Sequence, residues 1–153
     1  NAACAGYCHH AAVETDAATL YFYFPQKYPP GSGIYLDGKL YKGFSNYAGE
    51  VAMLPFGIDW LDPELYAAPE RICEAVALVV VAACSLLNPQ AVILYGTFLT
   101  DEHLSRIRHT VSERLPPFSM PDVLRAANFT LDYQNGMVEG ALALLEPQLS
   151  LSL

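Results

Sequence analysis

Basic residues are scarce in this chain. It carries 8 Lys and Arg against 16 Asp and Glu, for a net charge of −8 at pH 7. Only Arg106 and Arg108 come near to clustering. Phosphate contacts need a basic face, so no nucleic-acid partner is expected of this chain. Long apolar runs are also lacking. The best of them, residues 75–87, falls well short of the roughly 20 residues that a membrane span needs, which predicts a buried helix and no membrane partner. Disorder is excluded by the 53% hydrophobic and 16% charged content, and the 153 residues fit one domain. The four cysteines, Cys4, Cys8, Cys73 and Cys84, are widely spaced and no leader precedes them. They read as reduced, cytoplasmic thiols and not as a disulfide frame. Cys4 and Cys8 share a helix face at i, i+4 beside His9 and His10, but a second, distant ligand pair is lacking. Small apolar packing is therefore their reading, and no metal is expected. There is no initiator Met, no internal repeat and no low-complexity segment. Asn1-Ala2-Ala3-Cys4 already reads as helix interior, which predicts a fragment of a longer protein.

What is present has a clear order. Residues 1–13 are rich in Ala and predict a helix that ends at residues 14–16. Residues 18–24 (ATLYFYF) are continuously aromatic and apolar and predict a buried strand whose rings are core. Pro25, Pro29 and Pro30 break it. Gly31-Ser32-Gly33 then leads into residues 33–36, a turn at Asp37-Gly38, and a return over residues 39–42. Asp-Gly between apolar runs is a hairpin signal, because both turn positions need φ > 0, and it makes Asp37 a turn former more than a ligand. Residues 55–68, with the only Trp, Trp60, predict an irregular excursion with one helical turn at 63–66. Residues 70–87 predict a long helix, apolar on almost all sides after Glu74 and so covered on more than one face. Residues 91–95 predict a strand ending at Gly96-Thr97, and Thr100 an N-cap for a helix over 101–115, whose His103 and His109 are given no role. Residues 121–127 predict a short helical turn, 129–131 a short strand, and 136–145 a closing helix. Three antiparallel strands followed by helix, strand and helix fit an α/β fold, with any ligand at the carboxyl end of the strand. The half-fold of the ribonuclease H-like/actin-like ATPases is one of several that match.

The chemistry converges on residues 43–50 (GFSNYAGE). A single carboxylate, Glu50, stands after Gly49 at the end of a loop held by the hairpin, placed either as an exposed turn glutamate or as an acceptor for ligand hydroxyls.

Residues 33–54, GIYLDGKLYKGFSNYAGEVAML, resemble the ROK family (repressors, open reading frames and sugar kinases), which reads G-T-G-I-G-x-G-I-I-I-D-G-K-L-x-x-G and then A-G-E-x-G-H. Gly33, Ile34, Asp37, Gly38, Lys39, Leu40, Gly43, Ala48, Gly49 and Glu50 fall on that pattern. Asn1-Ala2-Ala3 is similar to the end of the family's E-N-D-x-N-A-A, and residues 92–96 and 136–145 are similar to a later strand and the closing helix. The resemblance implies the C-terminal lobe of a two-lobed actin-like ATPase fold, spanning residues 1–153 as a single domain. It implies that Glu50, with Gly49 and Asn46 in the same loop, meets the hydroxyls of a sugar or sugar phosphate between the lobes. It also implies that Gly31 and Gly33 lie toward nucleotide phosphates, that Gly96 faces the adenosine side, and that the lobe pairs as a homodimer.

The departures carry as much weight. The family's phosphate loop falls on residues 27–33, here KYPPGSG, where Lys27 and Pro29 replace the first two glycines. Proline has no N–H to offer a phosphate. Met53 stands at the family's zinc-ligand histidine and residues 54–71 hold no cysteine, so no zinc is expected and ordering of that segment falls to Trp60 and the prolines. The catalytic aspartate of E-N-D would precede Asn1, so no catalytic residue is assigned. The resemblance thus implies a sugar-sensing effector lobe of a ROK-type transcriptional regulator, without kinase activity in this chain and with any DNA-binding helix-turn-helix upstream. The alternative is the C-terminal lobe of an ATP-dependent sugar kinase of the glucokinase or N-acetylglucosamine kinase type.

Overall fold

The computed structural model describes residues 1–11 and 17–149, so the helix end predicted at residues 14–16 lies outside the described residues. Strands β1 (Thr19–Tyr23), β2 (Gly31–Leu36) and β3 (Lys39–Leu40) form an antiparallel meander. On the other side of β1 lie β4 (Ala91–Tyr95) and β5 (Asp122–Arg125), both parallel to it, giving one five-stranded sheet in the order β3-β2-β1-β4-β5. Helix α1 (Ala2–His10) and helix α5 (Phe129–Leu149) cover one face of the sheet, and α3 (Pro69–Leu87) with α4 (Asp101–Ser112) covers the other; the short α2 (Pro63–Ala67) precedes α3. This is the predicted α/β architecture.

Side chains of β1 alternate between two cores, as a strand covered on both faces requires. Leu20, Phe22 and Phe24 join Ile72, Val76, Val80, Leu94 and Ile107 on the α3 side. Tyr21 joins Cys4, Cys8 and Ile93 on the α1 side. Trp60 is buried against Phe24, with ring centroids 5.5 Å apart, and Tyr66 donates to its carbonyl at 3.0 Å, so packing does order the irregular excursion. The turn residues Asp37 and Gly38 have φ of 50° and 74°.

The structure corrects several sequence expectations. β2 begins at Gly31, two residues before the predicted start, because Gly31 and Ser32 pair with Tyr23 and Phe22. β3 stops at Leu40 and not at Lys42, since the Lys42 carbonyl accepts from Ala48 and the chain leaves the sheet. Helix α4 ends at Ser112, short of Leu115. The helical turn predicted over 121–127 is instead β5, where Val123 is buried against Val92; pairing to an open sheet edge outweighs local preference. The strand predicted at 129–131 is the first turn of α5. Asn128 caps it, its side chain accepting from Leu131 N at 3.0 Å. Residues 51–53 add a 3-10 turn that was not predicted. As predicted, Thr100 caps α4, accepting from His103 N at 3.3 Å.

Helices α1 and α5 cross at two glycines. A Cβ on Gly6 would overlap the Asp132 carbonyl oxygen, and one on Gly136 would overlap the Ala2 carbonyl oxygen. Beside this crossing Tyr21 donates to Asp132 Oδ2 at 2.9 Å, a buried bond that ties β1 to α5.

Candidate functional site

Because β1, β4 and β5 are parallel, their carboxyl ends share one edge of the sheet, and the start of β2 lies at the same edge. The loop of residues 41–50 is folded against that edge. Gly49 holds it there: its carbonyl accepts from Ser32 N at 2.8 Å, from Ser32 Oγ at 3.1 Å and from Val51 N at 2.8 Å. Gly49 has φ of 95°, and a Cβ there would overlap the Ser32 carbonyl, so only glycine brings the loop this close. The next residue, Glu50, is exposed and leads into the 3-10 turn Val51–Met53.

Glu50 borders a cavity of about 280 Å³ lined also by Asn1, Tyr21, Tyr23, Gly31, Ser32, Phe129 and Tyr133. It therefore stands where the ends of β1 and β2, the start of α1 and the start of α5 meet. On the opposite side of its loop Glu50 borders a second cavity of about 230 Å³, whose walls are apolar: Leu20, Phe22, Val79 and Leu86 among them. The first cavity combines the Glu50 carboxylate with the polar side chains of Asn1, Ser32 and three tyrosines, the mix that a small polar ligand requires.

The other residues singled out from sequence are placed as follows. Asn46 is exposed with φ of 59°, a turn former within the loop, and it lines neither of the two cavities that Glu50 borders. Gly31 borders the first cavity, and a Cβ there would meet nothing within 4 Å. Gly33 also borders the first cavity and lies under α1, where a Cβ would overlap that of Cys4. Its lack of a side chain lets the helix sit on the sheet. Gly96 is buried beneath the Phe98 ring, where a Cβ would meet Phe98 Cε1 at 2.6 Å. Met53, at the position of the family's histidine ligand, is exposed. Cys4 and Cys8 are both buried, and the neighbouring Cys8 thiol together with burial holds the Cys4 thiol well above its ordinary range. Among the described residues no three metal-ligating side chains come together.

Residues 27–33 are the segment that the resemblance sets against phosphate. Within it Pro29 and Pro30 have no N–H, the Lys27 N–H donates to the Pro25 carbonyl at 2.7 Å beside Gln26 at φ 61°, and the Ser32 N–H donates to the Gly49 carbonyl at 2.8 Å.

One part of the site was not foreseen. Tyr23, Tyr95, Phe129 and Tyr133 form a stack at the strand ends. Phe129 lies 4.5 Å from Tyr23 and 4.7 Å from Tyr95, at 12° and 17°, and 6.1 Å from Tyr133 at 25°. Reading 129–131 as a strand hid the i, i+4 pair of Phe129 and Tyr133, which the Asn128 cap would have revealed. Beneath the stack, burial pushes the Asp132 carboxyl up, opposed by the bond from Tyr21.

No family model matches the chain, and no curated protein matches it by sequence. Solved structures do match it. A ROK hexokinase from Thermus thermophilus is similar over 89% of this chain and 61% of its own, with TM-score 0.71 and 15% identity. A ROK family glucokinase from Streptomyces griseus, in complex with glucose and AMPPNP, is similar over 89% and 64%, with TM-score 0.65 and 16% identity. A ROK family transcriptional regulator, a homologue of the E. coli MLC protein, is similar over 92% and 50%, with TM-score 0.63 and 11% identity. The chain thus has the fold found in the ROK proteins and spans half to two thirds of the length of these structures.

Proposed function

We propose that this chain, folded as the ROK proteins are, is the C-terminal lobe of a ROK-type transcriptional regulator and serves as its sugar-sensing half. The lobe binds a sugar in the cleft between itself and a preceding lobe, Glu50 accepting hydrogen bonds from the sugar hydroxyls and Gly49 setting its position. DNA contact belongs to a helix-turn-helix outside this chain, and the working place is the cytoplasm. The outer side of the C-terminal half of α3, which is uncharged and where Leu86 is exposed, is the surface through which two copies pair.

The observation that carries this reading is the segment of residues 27–33. Phosphoryl transfer needs its phosphates held by several convergent donors. Here Pro29 and Pro30 have no N–H, and those of Lys27 and Ser32 are spent on the Pro25 and Gly49 carbonyls. A sensor needs the sugar side of the cleft and not the phosphate side. Calorimetric titration of the full-length protein, first with Mg-ATP and then with glucose and N-acetylglucosamine, tests it. Sugar binding without ATP binding is expected. ATP binding with sugar turnover would overturn it in favour of a sugar kinase.

A further inference from the structure

We infer that a second copy of this chain seats its Leu86 in the apolar cavity behind the Glu50 loop, and that pairing of two copies thereby fixes the position of Glu50. The inference rests on the pairing surface proposed above and gives it a contact and a consequence for the site.

Three observations lead there. The first is the cavity, with a volume of about 230 Å³. Leu20 and Phe22 of β1 form its floor, Ala82 and Ala83 of α3 one wall, and Gly49 and Glu50 the wall opposite. An apolar cavity of about 150 Å³ admits a benzene-sized group, so this one has room for a leucine side chain.

The second is a knob beside the hole. Leu86 stands on the rim of the cavity and is 78% exposed. It follows Ala82 and Ala83 by one turn of α3, and their small side chains let another helix approach. Knob and hole lie side by side on one face, so a twofold axis beside α3 puts each Leu86 over the other copy's cavity and fills both at once. A partner of another kind would need its own knob for the cavity and its own hole for Leu86; a second copy brings both.

The third is charge. Two copies of a chain with net charge −8 repel each other wherever their carboxylates meet. Residues 75–87 carry no charge, and Glu50 is the one charged residue among those lining the cavity. Pairing here sets no run of like charges face to face.

The consequence for the site follows from the shared wall. The Glu50 loop separates this cavity from the one beside Asn1 and Tyr133, and Ser32 and Glu50 border both. Behind Glu50 lies cavity, whose lining atoms lack contact partners on that side. A leucine side chain placed there supports the loop from behind. A ligand held by Glu50 and a copy held behind it are then linked, each strengthening the other by the same free energy.

The test uses the full-length protein. Sedimentation velocity over a concentration series and hydrogen exchange of residues 44–54 are measured for wild type, Leu86→Glu, Leu86→Met and Ser105→Glu, each first checked for an unchanged circular dichroism spectrum. Leu86 is exposed, so the new carboxylate does not enter the core; Ser105 is exposed on α4, and its change puts the same charge elsewhere. Wild type should form a dimer. Leu86→Glu should raise the dimer dissociation constant by about tenfold or more, since it buries a carboxylate in an apolar hole, while Leu86→Met and Ser105→Glu should leave it within about twofold. Exchange of residues 44–54 should be about fivefold slower in the wild-type dimer than in Leu86→Glu, and wild type diluted below its dissociation constant should match Leu86→Glu. Glucose and N-acetylglucosamine are then titrated by calorimetry, and whichever binds the wild-type dimer should bind Leu86→Glu about fivefold more weakly. A wild type that stays monomeric, a Leu86→Glu dimer as tight as wild type, equal exchange in dimer and monomer, or a sugar affinity that Leu86→Glu leaves unchanged overturns the inference, and sugar binding in any of these cases leaves the sensor reading standing. Slowed exchange in the dimer together with failure of both sugars to bind upholds the inference and removes the sensor reading.

Discussion

Replacing Gly136 by Ala should force helices α1 and α5 apart. An added Cβ would fall on the Ala2 carbonyl oxygen, which is backbone within the first turn of α1 and cannot swing aside. The helices must therefore separate by more than about 1 Å before the contact becomes tolerable. Overpacking of this kind costs about 1–3 kcal/mol, and a clash of backbone on backbone belongs at the upper end. The better helix propensity of Ala offsets about 1 kcal/mol. The net expectation is a loss of about 2 kcal/mol. With a urea slope of about 1–3 kcal/mol per molar, the midpoint should fall by about 1 M at unchanged slope. Trp60 is the readout: it is the one tryptophan, it is 5% exposed, and unfolding strips it from Phe24. The control is Gly140→Ala, four residues along the same helix, where the new Cβ meets nothing within 4 Å. That change should stabilise by up to about 1 kcal/mol. If Gly136→Ala proves as stable as Gly140→Ala, the close crossing of α1 and α5 is refuted.

Two further predictions concern the same side of the sheet. Gly33→Ala should destabilise by about 1–3 kcal/mol, because its Cβ overlaps that of Cys4; in a double-mutant cycle Cys4→Gly should recover most of the loss, and additive effects would refute the contact. Asp132→Asn keeps an oxygen to accept from Tyr21 but removes a buried charge. Burial raises the Asp132 carboxyl, with the Tyr21 hydroxyl and the His10 charge opposing. A raised carboxyl favours folding below its unfolded range and loses that contribution as pH rises through its folded range. Wild-type stability relative to the Asn variant, read from urea midpoints, should therefore decline as pH rises through and above the ordinary carboxylate range, and a constant difference would refute the perturbation.

Much of the fold was legible without the structure because its signals are local. The aromatic run around Tyr21, the Asp37-Gly38 turn, the uncharged helix before Asn88 and the Thr100 cap each depend on neighbours in the chain. The misreadings share a cause as well. Residues 122–125 have no strong local preference and became a strand because β4 offered an open edge, and Phe129 was read as strand because its aromatic ring outweighed the Asn128 cap beside it. Gly31 was placed in a loop, and pairing with Tyr23 drew it into β2.

By itself, then, the order of residues determined most of the element types, the antiparallel meander, the shortage of basic residues and the prolines that remove N–H groups at positions 25, 29 and 30. Those properties follow from backbone chemistry and charge, which each residue carries wherever it lies. The tertiary structure alone decided which residues share a cavity. It brought Glu50, Gly31, Gly33, Tyr23 and Tyr133 to one place, took Asn46 elsewhere, and set Cys4 against Gly33 and Phe98 against Gly96. A glycine serves equally to admit a ligand or to admit a neighbouring helix or ring, and the difference lies in what the rest of the fold packs against it.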